Sequence, residues 1–296
     1  MKPLVIPAMV TVVALGLTGC GGTGPGSSPS ADPVRIPPTP STVHECPPAD
    51  ELASLDTRDV VEIPAGAVGV RLCDLGTTGP VLAPPEELRT GVDQLVQQFN
   101  AAEPFDAEST VCTADAGPAY AMVFRYPDDT SVTVTSMLAG CRTVGGKFGG
   151  DALARTFVDL VEQSRAAAPR PTPEPVTEPC AGPRQSWVPV RAEDLVTISA
   201  CADATATSGT RGTATPEQWA ILSADLSANV AEVESFWFAG EAIPYVATDH
   251  HGQPQALERF DDQLVLTGIS LGSPQQKVRV WRPSPESLAI LDQLGG

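Results

Sequence analysis

Seven cysteines constrain this 296-residue chain more than any other feature. They stand at Cys20, Cys46, Cys73, Cys112, Cys141, Cys180 and Cys201. The six beyond residue 45 show no Cys-x-x-Cys spacing, so neither a zinc ribbon nor a thioredoxin-type redox site is indicated. An even set of cysteines in an exported chain points to disulfides. Many connectivities are compatible with six cysteines, and spacing expresses only a preference. Cys180 and Cys201 lie beyond a proline-rich stretch and most simply pair with each other. Cys112 and Cys141 flank a predicted hairpin that turns near Pro127-Asp128-Asp129, so they can meet at its open end. Cys46 is then left for Cys73.

Cys20 remains without a partner, and its surroundings explain why. Lys2 is the only charge before Asp32, and residues 4–17 are apolar or small, with Pro7 as an early interruption. A positive start, a short apolar core and a run of small residues make an export signal. The core is shorter than the roughly 20 residues that span a bilayer. Leu17-Thr18-Gly19-Cys20 resembles the lipobox of bacterial lipoproteins. The resemblance implies cleavage after residue 19, a thioether-linked diacylglycerol on Cys20 and acylation of its new amine. The membrane is then a partner through the lipid on Cys20, and the chain stands on the extracytoplasmic face. Two or more acyl chains hold a protein firmly, at about 0.8 kcal/mol per buried methylene.

Charge narrows the remaining partners. The formal net charge is −18, and the acidity is shared by both halves. Residues 46–168 carry 18 acids against 8 bases, and residues 180–296 carry 14 against 7. Phosphate contacts need clustered lysine or arginine, so nucleic acid is not an expected partner.

Composition divides the chain into five stretches. Residues 1–19 form the signal peptide. Residues 20–45, rich in Gly, Ser, Pro and Thr, form a disordered tether. Residues 46–168 form a first α+β module, residues 169–179 a proline-rich linker and residues 180–296 a second α+β module. In the first module "AVGVRLCDL" alternates as a strand. "PPEELRTGVDQLVQQFNAAE" repeats its apolar residues at helical period, with Glu86 and Glu87 at the favourable end of the dipole. "AYAMVFRY" and "TSVTVTSML" read as strands, and "GGDALARTFVDLVEQSR" as a helix with Asp151 as its N-cap. The second module repeats the order. "DLVTISAC" is a strand, and Thr215-Pro216-Glu217-Gln218 opens a helix whose face runs from Trp219 through Val230 to Val233. "IPYVAT" and "QLVLTGISL" are the next strand pair, "KVRVWR" is a further strand, and Ser284-Pro285 opens a last helix. Strand–helix–strand–strand–helix occurs twice, which predicts a diverged tandem duplication. Each module is expected to be an antiparallel sheet with helices on one face. The first, from Arg71 to Arg165, resembles a segment of uncharacterised actinobacterial envelope lipoproteins; that resemblance implies location and fold and brings no catalytic residues with it.

Few residues carry chemistry. Asp249-His250-His251 holds two of the three histidines, and imidazoles with a carboxylate bind zinc or copper. Neighbours on an extended strand point apart, so such a site needs further ligands, such as Glu241 or Asp261. "TDHHGQP" reads more simply as a polar hairpin loop with Gly252 in its turn. "GGKFGGD" lacks the ending and glycine spacing of a phosphate loop. Phe236-Trp237-Phe238 is a candidate contact surface, since three adjacent aromatics in a strand cannot all face one core. No nucleophile elbow occurs. The expected function is therefore a lipid-anchored envelope protein, not an enzyme, that binds or scaffolds an envelope partner without a cofactor. A metal or small-ligand receptor at Asp249-His250-His251 is the second reading, and an exported hydrolase the third.

Overall fold

The apolar periodicities resolve into two antiparallel sheets, each with its longer helices on one face; the short helix Ala49–Ser54 lies on the other face of the first. The structure, a computed structural model, describes residues 39–40, 46–54, 62–75, 81–114, 117–171, 180, 185–203, 209–233, 242–267 and 278–296. The first half contains β1 (Thr39–Pro40), α1 (Ala49–Ser54), β2 (Gly69–Asp74), β3 (Val81–Leu82), α2 (Val92–Ala101), β4 (Ala119–Arg125), β5 (Thr130–Met137), β6 (Thr143–Val144), β7 (Lys147–Phe148) and α3 (Gly150–Ala167). The second contains β8 (Gln185–Ser186), a 3-10 turn at Ala192–Asp194, β9 (Leu195–Cys201), β10 (Thr210–Thr213) and α4 (Pro216–Asn229). It continues with β11 (Val230–Val233), β12 (Ile243–Asp249), β13 (Pro254–Phe260), β14 (Gln263–Thr267), β15 (Val278–Trp281) and α5 (Pro285–Gly295).

The first sheet runs β2-β4-β5-β6-β7, with β1 beside β5. The second runs β10-β9-β12-β13-β14-β15-β11. The fold is α+β. Alternate residues of each strand explain the layering. Val70, Leu72, Tyr120, Met122, Phe124, Val132 and Val134 face Val92, Leu95 and Phe99 of α2 and Leu153, Phe157 and Val161 of α3. In the second sheet Ile198, Ala200, Tyr245, Ala247 and Leu257 face Leu222 and Leu226 of α4 and Leu291 and Leu294 of α5.

A common core runs through both sheets. β2-β4-β5 and β9-β12-β13 each place a first strand beside a hairpin that follows the intervening helix. Tyr120 on β4 donates its hydroxyl hydrogen to Gly150 O at the start of α3, and Tyr245 on β12 donates to Leu291 O of α5. Both phenols are buried, so each needs such a partner. Behind each sheet, on the face away from these helices, sits a disulfide. Cys46–Cys73 spans 5.7 Å between Cα atoms and lies with Leu52 and Ala121. Cys180–Cys201 spans 5.6 Å and lies against Val246. Cys112–Cys141, at 4.9 Å, ties the segments that flank the β4–β5 hairpin. These are the pairs that the spacing prefers. Three disulfides mark an extracytoplasmic chain that folds in an oxidising compartment.

The two sheets belong to one compact unit, Pro33–Gly296. β3 pairs in parallel with β8 across the midpoint of the chain. Trp187, one residue beyond β8, is 1% exposed and joins the first core rather than the second. Its ring meets Tyr120 edge-on at 5.4 Å. No described helix is long and apolar enough to cross a membrane.

Several local expectations are corrected. Glu86 and Glu87 do not sit in the first turn of α2. The helix starts at Val92, behind Gly91 at φ 79°, while Leu88 bridges to Val70. Pro84-Pro85 favour an extended approach, and the two carboxylates are drawn to arginines instead. The N-cap of α3 is Gly149, at φ 97°, and Asp151 pairs with Arg155 one turn on. Helix α4 ends at Asn229, because Val230–Val233 leave it to pair with β15. The Thr215–Gln218 capping box at its start is present as read. Finally, β12 pairs with β13, not directly with β14. The signal segment, Cys20, most of the tether, most of the linker and the Phe236-Trp237-Phe238 stretch lie outside the described residues; within the stretch expected to be disordered, Thr39 and Pro40 instead pair as β1 with Ser131 and Thr130 of β5.

Candidate functional site

Where the two halves meet, the Asp249-His250-His251 loop closes a cleft of about 80 Å³. Helix α3 supplies Glu162 and Arg165, and the chain just after it supplies Arg170. Val188, Pro189, Val190, Arg191 and Asp194 form the facing wall. The loop is the turn of the β12–β13 hairpin, with Gly252 at φ 72°. A left-handed turn position favours glycine.

Asp249 organises this turn. Its Oδ1 accepts the backbone N–H groups of His251 and Gln253, each at 2.8 Å. Its Oδ2 lies 3.5 Å from Arg165 Nη1, and the side chain is only 3% exposed. Burial pushes the Asp249 carboxyl above the usual carboxylate range, against the pull of the Gln253 N–H and the Arg165 charge. Arg165 also grips Glu86, with Nε to Oε1 at 2.5 Å and Nη2 to Oε2 at 3.1 Å. Burial raises Glu86, but the Arg165 hydrogen bonds and charge outweigh it and hold the carboxyl below its ordinary value. Arg165 Nη2 reaches Gln253 Oε1 at 3.4 Å, and Gln253 Nε2 donates to Ala83 O at 3.3 Å. Gln253 is fully buried. One guanidinium therefore joins α3, the segment after β3 and the hairpin of the second sheet.

The opposite rim has its own pairing. Arg170 Nη2 meets Asp194 Oδ1 at 2.9 Å, and Arg191 Nε meets Oδ2 at 2.6 Å. The N–H of His250 donates to Asp194 O at 3.3 Å, which fixes the loop to this rim. Burial lowers the His251 imidazole, helped by the Arg165 charge and opposed by Asp249, Glu86 and Asp194. Burial raises Glu162, with Asp159 adding to it and Arg191, Arg279 and Arg165 opposing.

As a metal centre the loop lacks donors. Asp249 spends one oxygen on backbone N–H groups and turns the other toward a guanidinium, which repels a cation. Among the described residues no group of three His, Cys, Asp or Glu is placed to hold a metal ion. Asp261 sits in the β13–β14 turn at φ 54°, and Glu241 lies outside the described residues. The sequence reading missed Arg165, Glu162, Asp194 and Arg191. The one available signal was the placement of charges at the end of a helix with a legible apolar face.

Glu162 makes the electrostatics testable. With its folded pKa raised, the native state holds a proton there that the unfolded chain has released. Its stabilising contribution is thus complete below the ordinary value of about 4.3 and falls as pH rises through the raised one. Glu162→Gln is expected to raise stability by about 0.5 kcal/mol at pH 7 and by less at pH 4. Urea midpoints at the two pH values check this, and a gain larger at pH 4 would contradict the assignment.

No protein-family model, no curated protein and no solved structure matches the chain.

Proposed function

We propose that the chain is a lipid-anchored protein of the bacterial cell envelope that works by binding, without catalysis. One observation carries this: three disulfides, made only under oxidising conditions, lie downstream of Leu17-Thr18-Gly19-Cys20. The lipid at Cys20 holds a unit built around the two sheets. Glycine, serine and proline between residue 20 and Cys46 give that unit reach above the membrane. The strongest polar groups of the cleft favour binding over catalysis, since Arg165 and Asp249 are engaged in holding structure. Cys20→Ala is the test. The variant is expected to lose all membrane retention while its three disulfides and thermal midpoint stay unchanged. Retention equal to the parent chain would reject the anchor.

A second reading is favoured by the position of the Asp249–His251 loop in the cleft wall. There the protein is an extracytoplasmic receptor for a small ligand, and the cleft between the halves is its binding site.

A further inference from the structure

Between the end of α2, the β6–β7 hairpin and the start of α3 lies a second cavity, of about 300 Å³ and partly open to solvent. Phe99, Val144, Phe148 and Leu153 form its walls, and no charged side chain among the described residues lines it. Small-molecule sites begin at about this size and share this apolar, aromatic lining. A dry apolar cavity of ~150 Å³ already takes up benzene.

The walls are held in place by the fold. Phe148 N donates to Glu103 O at 2.9 Å and Phe105 N to Gly146 O at 2.8 Å, which straps residues 103–105 across β7. Phe105 then meets Phe148 edge-on at 5.3 Å and fixes its ring. Small residues keep the space clear: Ala101 at the end of α2, Gly149 and Ala152 at the start of α3. Gly149 stands at φ 97°, where glycine is favoured, and nothing lies within 4 Å of where a Cβ would project.

These surroundings select the ligand. Apolar walls that face water cost free energy, which is recovered when an apolar group fills the space. Counting each methylene as one liquid-water volume of ~30 Å³, the cavity holds roughly ten. Its open side lets such a chain keep a polar head in water, beside the half-buried Gln98 amide, which can both donate and accept. A negatively charged head is disfavoured. Glu103 and Asp106 flank the strap, the whole chain carries a net charge of −18, and Asp151 already supplies the anion that the positive end of α3 favours. Lys147, next to Phe148, offers no counter-charge there: its ammonium is buried and donates to Phe99 O at 3.3 Å and Asn100 O at 3.0 Å. We propose that this cavity holds one acyl chain of a membrane lipid whose head bears no negative charge, a monoacylglycerol in the simplest case. The cavity stands on its own geometry, and only the membrane as source rests on the anchored reading above.

The test photolabels the full oxidised chain, the parent in nanodiscs and Cys20→Ala in water, with a monoacylglycerol that carries a diazirine in its acyl chain. Peptide mass spectrometry locates the adducts. They are expected within residues 98–102 and 144–153 of both chains, and to be competed away by unlabelled monoacylglycerol. Ala152→Trp and Ala101→Trp fill the cavity from two different helices, and each is expected to lower labelling about tenfold or more. Ala101 is exposed, so the thermal midpoint of that variant is expected to hold, which separates lost binding from lost folding. Adducts spread over the surface, or indifferent to both tryptophans, overturn the site. Equal competition by the fatty acid anion of the same chain length overturns the head-group assignment. If the cavity peptides resist both the lipid and a small water-soluble diazirine, the chain itself or a second copy covers the space, and the proposal fails. Labelling of Cys20→Ala, with a parent chain that nanodiscs do not retain, would reject the anchor and leave the cavity standing.

Discussion

Arg165→Met is expected to lower the unfolding free energy by about 3 kcal/mol, with a larger deficit at pH 7 than at pH 4. Removing one member of a buried ionic cluster usually costs about 3–5 kcal/mol, because the partners are left buried and uncompensated. Here the partners are Asp249, whose side chain is 3% exposed, and Glu86, which is 32% exposed. The lower end of that range applies, since Glu86 reaches water and Asp249 keeps its two backbone N–H donors. The pH dependence follows from Asp249. Its folded pKa already lies above the usual range and rises further once the guanidinium is gone. Below the unfolded value of about 3.9 the carboxyl is neutral in both states, and the cost of burying its charge disappears. As pH climbs through the folded value, that cost returns. Urea unfolding of the oxidised chain at both pH values measures this. Asp249→Asn in the Arg165→Met background should recover part of the loss, because the two residues share one interaction. A deficit below about 1 kcal/mol at pH 7, or one that does not change with pH, would show that the cluster is not what joins the halves.

That cluster was invisible in the sequence for a physical reason. Arg165 and Glu86 are 79 positions apart, and Arg165 and Gln253 are 88 apart. Periodicity reports which face of one element is apolar, and the helical spacing of Leu153, Phe157, Leu160 and Val161 in α3 marks the face that is buried. It cannot report which distant surface meets the edge of that face, where Glu162 and Arg165 sit. The Asp249–His251 loop was readable as a hairpin turn because Gly252 and the polar run are local signals. Its place at the junction was not. The same distinction explains the missed strand β13. Pro254 at its start and the Glu258-Arg259 pair blur the alternation, and the strand exists because β12 and β14 flank it. β11 is similar: Val230 and Val233 fit a helical stripe, but an open edge of β15 takes them. Capping boxes, by contrast, are complete within four residues, and Thr215–Gln218 formed as read. The recurrence of strand, helix and hairpin was also legible. Its counterpart in space is the shared core of β2-β4-β5 and β9-β12-β13.

Cys180→Ala with Cys201→Ala is expected to cost about 3 kcal/mol or more, and more than the same change at Cys112 and Cys141. Loop-closure entropy alone predicts the reverse order. The closed segments have sequence separations of 21 and 29, and longer loops gain slightly more from a cross-link, with both near 3 kcal/mol. Packing reverses the ranking. Cys180 and Cys201 are both 0% exposed and lie against Val246, so shorter side chains leave a cavity behind the second sheet. Cys112 is exposed, and its neighbour Val111 is 97% exposed, so nothing there collapses around the lost sulfurs. Position adds to the difference. Cys180 fixes the entry of the segment that carries Trp187 and Val188 into the first core and Val190 and Arg191 into the cleft wall. Releasing it loosens one sheet's outer face, the other sheet's core and the cleft together. Two measurements separate the accounts: urea midpoints of the two double variants, and the near-ultraviolet signal of Trp187 in each. Equal costs, or an unchanged tryptophan signal in the Cys180–Cys201 variant, would leave chain entropy as the whole effect. A larger cost with an altered tryptophan environment would mean that the disulfide behind the second sheet also holds the first sheet's core in place.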